Sequence, residues 1–168
     1  MSDDFEFKRV DLGNGVIYEG EIENGNRFVF GKYSLPNITY IGEFNEESDM
    51  EGIGKLSITT KDGKIIRSGI FKGKAPNGLP LLNGSGTTYY FLSNIPKEML
   101  ELNGGIKYEE GLYLNNQLHG QAAIYYNDGS KYEGEFSHGK MHGKGKKINS
   151  DGSIITREYD NGRAISIE

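Results

Sequence analysis

One stretch of the chain has the spacing of a phosphate-binding loop. Gly134, Gly139 and Lys140 stand at the positions of its two glycines and its lysine, and in such loops backbone N–H groups and the lysine cradle the phosphates. The hydroxyl residue that should follow the lysine is replaced by Met141, and no helix is predicted there to direct its N-terminus at a phosphate. The sequence therefore predicts no nucleotide site and no cofactor.

The histidines are the next candidates for chemistry. His138 and His142 flank one predicted turn and His119 belongs to another segment, so the third or fourth ligand and the outer partners that a zinc site needs are lacking. The chain has no cysteine, which removes thiolate ligands and nucleophiles. A catalytic pair must converge in a closed pocket, whereas the glutamates fall at positions predicted to face water. We expect no metal site, no catalytic residue and no enzymatic activity.

One basic cluster is present, at Lys140, Lys144, Lys146 and Lys147. Lysines near an anionic bilayer contribute about 1 kcal/mol each, so a lipid-headgroup site is one interpretation; a solvated hairpin tip and a contact with an acidic protein are the others. The formal net charge of −5 argues against a nucleic-acid partner, which would require a basic face.

Length and composition restrict the elements that position these groups. The 168 residues suffice for one domain and include 25 glycines but only 4 prolines. Each interior glycine costs a helix about 1 kcal/mol, so a helical bundle is disfavoured. Hydrophobic residues make up 35% of the chain and the mean hydropathy is −0.59, which predicts a thin fold of strands and turns. The first residues lack a signal-peptide pattern, so we expect a cytoplasmic protein.

A phrase of nine residues recurs along the chain. Residues 128–136 read Asp-Gly-Ser-Lys-Tyr-Glu-Gly-Glu-Phe and return in altered form 23 residues later at 151–159, with weaker copies upstream. Self-similarity at a fixed period is the sequence signature of a repeat fold. We divide the chain into a cap at 1–12, units at about 13–35, 36–61, 62–86, 104–127 and 128–150, a partial unit at 151–168 and a non-repeat insertion at about 87–103.

Each unit is predicted to form a β-hairpin. Tyr132, Gly134 and Phe136 are two residues apart, so they share one face of a strand while the intervening glutamates face water. A turn containing Gly139 follows, and a second turn at 150–152 leads into the next unit. Because one hairpin cannot bury its apolar face alone, stability must come from stacked neighbours.

The repeated pattern resembles the MORN repeat. Tyr-Glu-Gly-Glu-Phe, a turn, His-Gly-x-Gly and Asp-Gly follow one another in residues 128–152 as in that family, while the other units match at anchor positions only. Glu109 and Ile155 replace anchor tyrosines, and Arg157 replaces a glycine. The resemblance implies an all-β fold, an elongated twisted single-layer antiparallel sheet of hairpins grooved on one side. It also implies a non-catalytic adaptor or scaffold, in a family often associated with phosphoinositides.

The two ends and the insertion carry separate predictions. Phe5 and Phe7 predict a short strand that covers the first sheet edge, and Ile165 and Ile167 predict a final strand whose open edge offers a place for self-association. The insertion begins with a strand-like run at 88–92 and continues with the cap and turn signals of a short helix at 95–102.

The aromatic side chains suggest how the sheet binds partners. Tyrosine combines a large area with a polar tip and suits interfaces, so the predicted groove receives an extended or helical segment of another protein. Of Tyr125 and Tyr126 only one can be buried on a given face. The protein-binding candidates are Tyr18, Tyr40, Tyr113, Tyr125, Tyr126 and Tyr132.

Two functions follow, in different classes. The first is a structural subunit of a larger cytoskeletal or ciliary (axonemal) assembly; lysine outnumbers arginine fourteen to five, a bias of AT-rich genomes such as those of many protists, where the resemblance places such proteins in cilia and cortical cytoskeleton. The second is a peripheral membrane adaptor that binds anionic phospholipid headgroups through the Lys140–Lys147 hairpin.

Overall fold

The computed structural model describes residues 5–25, 27–92 and 105–167. These residues form one open antiparallel sheet in which every strand pairs with its neighbours in the chain. The prediction of an all-β, single-layer antiparallel sheet is confirmed, while the predicted helix at 95–102 lies outside the described residues. The thirteen strands of the described part are β1 (Phe5–Gly13), β2 (Val16–Glu23), β3 (Arg27–Leu35), β4 (Ile38–Phe44), β5 (Met50–Thr60), β6 (Gly63–Lys74), β7 (Pro80–Leu92), β8 (Ile106–Leu114), β9 (Gln117–Tyr126), β10 (Lys131–Ser137), β11 (Lys140–Ile148), β12 (Ile154–Asp160) and β13 (Arg163–Ile167).

The hairpin turns have the backbone conformation that their sequences favour. His138 and Gly139 connect β10 to β11 with φ angles of 48° and 77°, the positive values that a two-residue turn between twisted strands requires. The Gly139 N–H donates to the carbonyl of Leu118 at 2.8 Å, and the Gly162 N–H donates in the same way to Met141. Each of these turns is therefore fastened to the preceding hairpin.

The connections between units use a side-chain cap that recurs with the repeat. The Asp128 carboxylate accepts hydrogen bonds from the Ser130 N–H at 2.8 Å and from its hydroxyl at 2.6 Å, and Asp151 does the same for Ser153. These bonds from Ser130 hold the pKa of Asp128 below its usual value. The Asp-Gly-Ser signal of the sequence is thus a turn that stabilises itself.

The apolar core lies on one face of the sheet, called here the core face. Tyr18, Tyr40 and Tyr132 are at most 1% exposed, and each ring lies over glycines of its own and the adjoining strand. The Tyr40 hydroxyl donates to the Glu43 carbonyl at 3.0 Å, and the Tyr40 ring meets Phe44 and Phe71 edge-on, at centroid distances of 5.5 and 5.6 Å. A row of paired positions without large side chains, the glycine row, accommodates these rings. It comprises Gly20, Gly31, Gly42, Gly54, Gly69, Gly86, Gly111, Ala122, Gly134 and Gly145.

The terminal strands occupy the two edges of the described sheet. β1 pairs with β2 from Phe5 opposite Glu23 to Gly13 opposite Val16, which confirms the predicted N-terminal strand. β13 pairs with β12 alone among the described strands, as the alternation at its isoleucines predicted. Residues 88–92, the predicted strand-like run, belong to β7 and pair with β6.

Candidate functional site

The opposite face of the sheet, called here the outer face, carries the side chains that alternate with the core. The predicted protein-binding tyrosines are divided between the two faces. Tyr18, Tyr40, Tyr113 and Tyr132 are at most 3% exposed and belong to the core, and Tyr126 packs against it partly buried. Tyr125 pairs with Lys131 and Tyr108 on the outer face. The geometry thus separates Tyr125 from the other five, and contact with a partner stays a prediction for all six.

Tyr125 is one end of an aromatic ladder on the outer face. Its ring stacks on Tyr108 at a centroid distance of 4.2 Å, and Tyr108 stacks on Tyr89 at 5.0 Å. Phe91, two residues along β7, extends the ladder at 6.1 Å from Tyr89. Tyr89 and Phe91 are 39% and 55% exposed, so the ladder presents apolar surface to solvent.

Polar groups fix the position of the Tyr125 end of the ladder. The Tyr125 hydroxyl donates to the Glu110 carboxylate at 2.8 Å, and this hydrogen bond, together with burial, raises the pKa of Tyr125 above its usual value. The Lys131 ammonium lies 5.8 Å from the centre of the Tyr125 ring, on its far side from Tyr108, a cation–π arrangement. The ladder therefore has a defined end at β10.

A second line of apolar side chains runs beside the ladder. Ile53, Ile70 and Leu112 are 66%, 44% and 48% exposed, and they follow one another across β5, β6 and β8. Between this line and the ladder lies a shallow groove of about 680 Å³, whose floor includes Ser68, Ser85, Thr87, Glu110 and Gln121. The ladder, this line of three residues and Ile66, which pairs with Tyr89, are called the outer patch.

Behind the outer patch, the core face is polar at a level where its paired neighbours on both sides, Leu56 and Ile124, are apolar. Arg67, Thr88 and Glu109 pair across β6, β7 and β8, at the level where Tyr40 and Tyr132 lie in other units. The Glu109 carboxylate accepts hydrogen bonds from the hydroxyls of Tyr90 at 3.0 Å and Tyr113 at 3.3 Å. Tyr113 therefore reaches over the glycine row from the opposite direction to Tyr40.

This polar cluster carries a titrating group. Burial raises the pKa of the Glu109 carboxyl above its usual value, against the opposing effects of the hydrogen bonds from Tyr90 and Tyr113 and the charge of Arg67. The folded state therefore holds a proton on Glu109 more strongly than the unfolded state does. Stability from this group is fully present below the unfolded pKa and falls as pH rises through the folded pKa.

We expect Glu109→Gln to remove this part of the pH dependence. Glutamine keeps an acceptor oxygen for Tyr90 and Tyr113 but has no charge to desolvate. Urea unfolding at intervals from pH 4 to pH 7 should show the free energy of unfolding of the variant rising relative to the original protein as pH increases. Glu46→Gln, at an exposed turn, controls for the loss of one carboxyl group. A difference that is constant or that shrinks with pH would contradict the prediction.

The predicted lysine cluster does not form a single surface. Lys144 and Lys146 lie on the outer face, Lys147 pairs with Tyr132 on the core face, and Lys140 begins β11 at the turn. The Lys146 ammonium pairs with Glu133 at 2.9 Å, which partly neutralises it. Alternation along β11 thus divides the basic run between two sides of the sheet.

Two of the three histidines lie close together, and the third faces a carboxylate. The rings of His119 and His138 are 5.1 Å apart, and His142 faces Asp160 at 3.5 Å. In the described residues, no group of three or more histidine or acidic side chains is arranged to hold a metal ion. A concavity of about 210 Å³ on the core face includes Tyr33, Phe44 and Met50 in its lining, together with Asp49 and Lys74, which form an ion pair.

The sequence did not predict the aromatic ladder, because Tyr89 and Phe91 fall within the predicted insertion and Tyr108 follows it. Tyr89 and Phe91 face one side of the strand and Tyr90 faces the other, but which side is the core face depends on pairing with β6. Tyr108 lies beyond a bulge that separates it from Ile106 in the register with β9. The replacement of an anchor tyrosine by Glu109 was the available signal of an unusual unit.

Comparison with known proteins supports the repeat assignment. The family model described as MORN repeat matches residues 18–37, 110–131 and 132–154, and a search of curated proteins found no match. Within the described residues, no helix has the length and apolar character to cross a membrane. MORN repeats are non-enzymatic and are generally associated with protein and membrane interaction. With family matches at three places along one sheet of repeated hairpins, the chain contains MORN repeats.

Proposed function

We propose that the protein is a non-catalytic interaction scaffold, a structural subunit of a larger cytoskeletal or ciliary (axonemal) assembly that binds a partner segment along its aromatic surface. The outer patch is the observation that carries this proposal. Exposed contiguous apolar surface on a soluble domain marks an interaction site more often than isolated apolar residues do. The association of MORN repeats with protein and membrane interaction supports the same class of function.

The construction of the sheet also suits a scaffold. The core residues on one face hold successive hairpins together, so the outer face is available without disturbing the fold. A repeat sheet in which each strand contacts only its neighbours presents an extended surface to a partner.

The alternative function is a peripheral membrane adaptor acting through Lys140, Lys144, Lys146 and Lys147. It has weaker support, because these lysines are divided between the faces and Lys146 is paired with Glu133. Charge reversal of Lys144, Lys146 and Lys147 to glutamate tests it by flotation with liposomes that contain anionic lipid. Association that is abolished by the reversal would favour the adaptor.

Affinity purification of the tagged protein from its native cell tests the main proposal. We expect a stoichiometric protein partner to survive a wash at moderate salt, and mass spectrometry to identify it as a component of a cytoskeletal or ciliary assembly. Recovery in a membrane fraction without a protein partner would contradict the proposal and favour the membrane adaptor.

A further inference from the structure

We propose that the outer patch binds an acidic amphipathic segment of a partner protein, with the segment's carboxylates over Lys55 and Lys64 and its apolar side chains over Ile66, Tyr89 and Tyr108. This inference rests on the proposed scaffold function and specifies its partner surface. It depends on the polarity of the two faces, on unpaired charge beside the patch and on the dimensions of the groove.

The polarity of the sheet is inverted at one level of β6, β7 and β8, although the same strands place Phe71, Leu82 and Tyr113 in the core. On the core face these strands place Arg67, Thr88 and Glu109 in the row, whereas the outer face at the adjacent positions carries Ile66, Tyr89 and Tyr108. β10 follows the usual rule, with Tyr132 in the core and charged residues on the outer face, although single apolar residues such as Phe30 and Ile41 are exposed in other strands. The outer face is thus apolar at the level where the core face is polar. This arrangement indicates that a partner covers the outer face when the protein functions.

Lys55 and Lys64 give the patch a charge that calls for an acidic partner. Both are exposed and lie beside Ile66, and among the described residues neither takes part in an ion pair. The two lysines share a concavity of about 230 Å³ with hydroxyl and apolar side chains. Its lining is Thr39, Ile41, Lys55, Ser57, Lys64 and Ile66.

Three other lysines of the outer face differ in this respect. Lys32 pairs with Glu19 at 3.5 Å, and both Lys131 and Lys146 pair with Glu133, at 2.6 and 2.9 Å. The positive charges of Lys55 and Lys64 are therefore available to the carboxylates of a binding partner, although the overall charge of the protein is negative.

The dimensions of the groove fit a helical segment that lies across the strands. The ladder and the second apolar line are four residues apart along β7, from Tyr89 to Ser85, or about 13 Å, close to the 10–12 Å diameter of an α-helix with its side chains. From β5 to β9 the sheet spans four strand spacings, about 19 Å, which corresponds to roughly 13 helical residues. A segment of this length places acidic residues at β5–β6 and apolar residues at β7–β9.

A charge at the other end of the groove argues against a bilayer as the occupant. Glu110 lies on the outer face at β8, where a flat anionic surface would meet its carboxylate, and the Glu133 carboxylate at β10 is already paired with Lys131 and Lys146. A peptide can avoid the Glu110 carboxylate by its sequence, whereas a bilayer cannot.

Selection of peptides on the full-length protein tests the inference. A phage library of random 16-residue peptides is panned against the immobilised protein, and Kd values of synthetic winners are measured by fluorescence anisotropy. We expect the winners to be net negative with apolar residues at helical spacing. Lys55→Glu combined with Lys64→Glu should weaken their binding by about tenfold or more, since two attractions become repulsions, and lysine in place of the peptide's acidic residues should restore affinity for this variant.

The control is a second charge reversal of the same size at exposed sites far from the patch, Lys8→Glu with Arg163→Glu, which should change Kd less than twofold. Circular dichroism and urea unfolding establish that both variants fold. Absence of winners, winners without acidic bias, or winners indifferent to Lys55 and Lys64 would overturn the inference. So would vesicles containing phosphatidylserine that bind through these lysines while no peptide competes.

The same variant separates this inference from the proposed function. If the Lys55→Glu and Lys64→Glu protein still recovers the cellular partner, the scaffold function stands and the placement of its surface is wrong. If the unaltered protein recovers no protein partner, the proposed function fails whatever peptides are selected.

Discussion

Replacing Gly42 by alanine is expected to lower the free energy of unfolding by about 3 kcal/mol, one of the largest effects of any single methyl group in this sheet. A Cβ atom at Gly42 would lie 2.6 Å from the Gly54 Cα, 2.6 Å from the Ile53 carbonyl oxygen and 2.8 Å from the Tyr40 hydroxyl oxygen. The first two are backbone atoms of β5, which cannot rotate away as a side chain could. Either the strands separate locally or the buried Tyr40 ring is displaced, and both outcomes lose core packing.

Gly78→Ala is the matched control for this prediction. Gly78 has a φ of 80° and no atom within 4 Å of an added Cβ, so the change carries only the conformational cost of the left-handed region, about 1 kcal/mol. Urea unfolding of both variants at neutral pH measures the difference. Gly42 carries no such conformational cost because its φ is not positive. A loss at Gly42 no larger than that at Gly78 would therefore contradict the role given to the close approach of the Tyr40 ring and the neighbouring strand.

The repeat in the sequence predicted the sheet, because in the regular units the alternation along each strand and the pairing within each hairpin place the same side chains on the core face. Tyr132, Gly134 and Phe136 alternate along β10, and the Gly145 that accommodates the Tyr132 ring lies on the next strand of the same hairpin. Pairing within a hairpin is fixed by its turn, so counting residues from Gly139 suffices to place this unit.

The outer patch could not be predicted in this way, because its faces depend on pairing between distant strands. Tyr125 and Tyr126 have equivalent local sequence, and their faces follow from the register with Tyr108 and Lys131. A one-residue slip would exchange them. In the regular units, the face of a side chain follows from its distance in sequence to the hairpin turn. The bulge between Ile106 and Tyr108 and the long segment before it break that relation.

The inversion of polarity links the stability of the sheet to its surface. An apolar row on both faces of β6, β7 and β8 would leave a three-strand segment that is hydrophobic throughout and prone to association. Arg67 and Glu109 keep the core face polar there, with Tyr90 and Tyr113 satisfying the carboxylate. The aromatic side chains can then face outward without making the segment apolar on both sides.

Arg67→Leu is therefore expected to be costly, although leucine continues the apolar row toward Leu56. The change removes the cation whose charge favours ionised Glu109, and Glu109 then stays desolvated without that compensation. Thr88 lies between Arg67 and Glu109, and among the described residues the two do not form an ion pair. The loss should therefore be smaller than the 3–5 kcal/mol of a broken buried pair, and we expect about 1–2 kcal/mol at pH 7. Arg67 also has a buried Nε without a hydrogen-bond partner, so that nitrogen loses no hydrogen bond when arginine is replaced.

The double change of Arg67→Leu with Glu109→Gln should restore most of that loss, because glutamine keeps the acceptor for Tyr90 and Tyr113 and carries no charge. Urea unfolding of the two single variants and the double variant gives the coupling between the sites as a double-mutant cycle. Acid provides an independent check: as Glu109 takes up its proton, the penalty of Arg67→Leu should shrink toward low pH. A double variant no more stable than Arg67→Leu, or a penalty that is the same at pH 4 and pH 7, would mean that Arg67 acts through packing and not through the charge of Glu109.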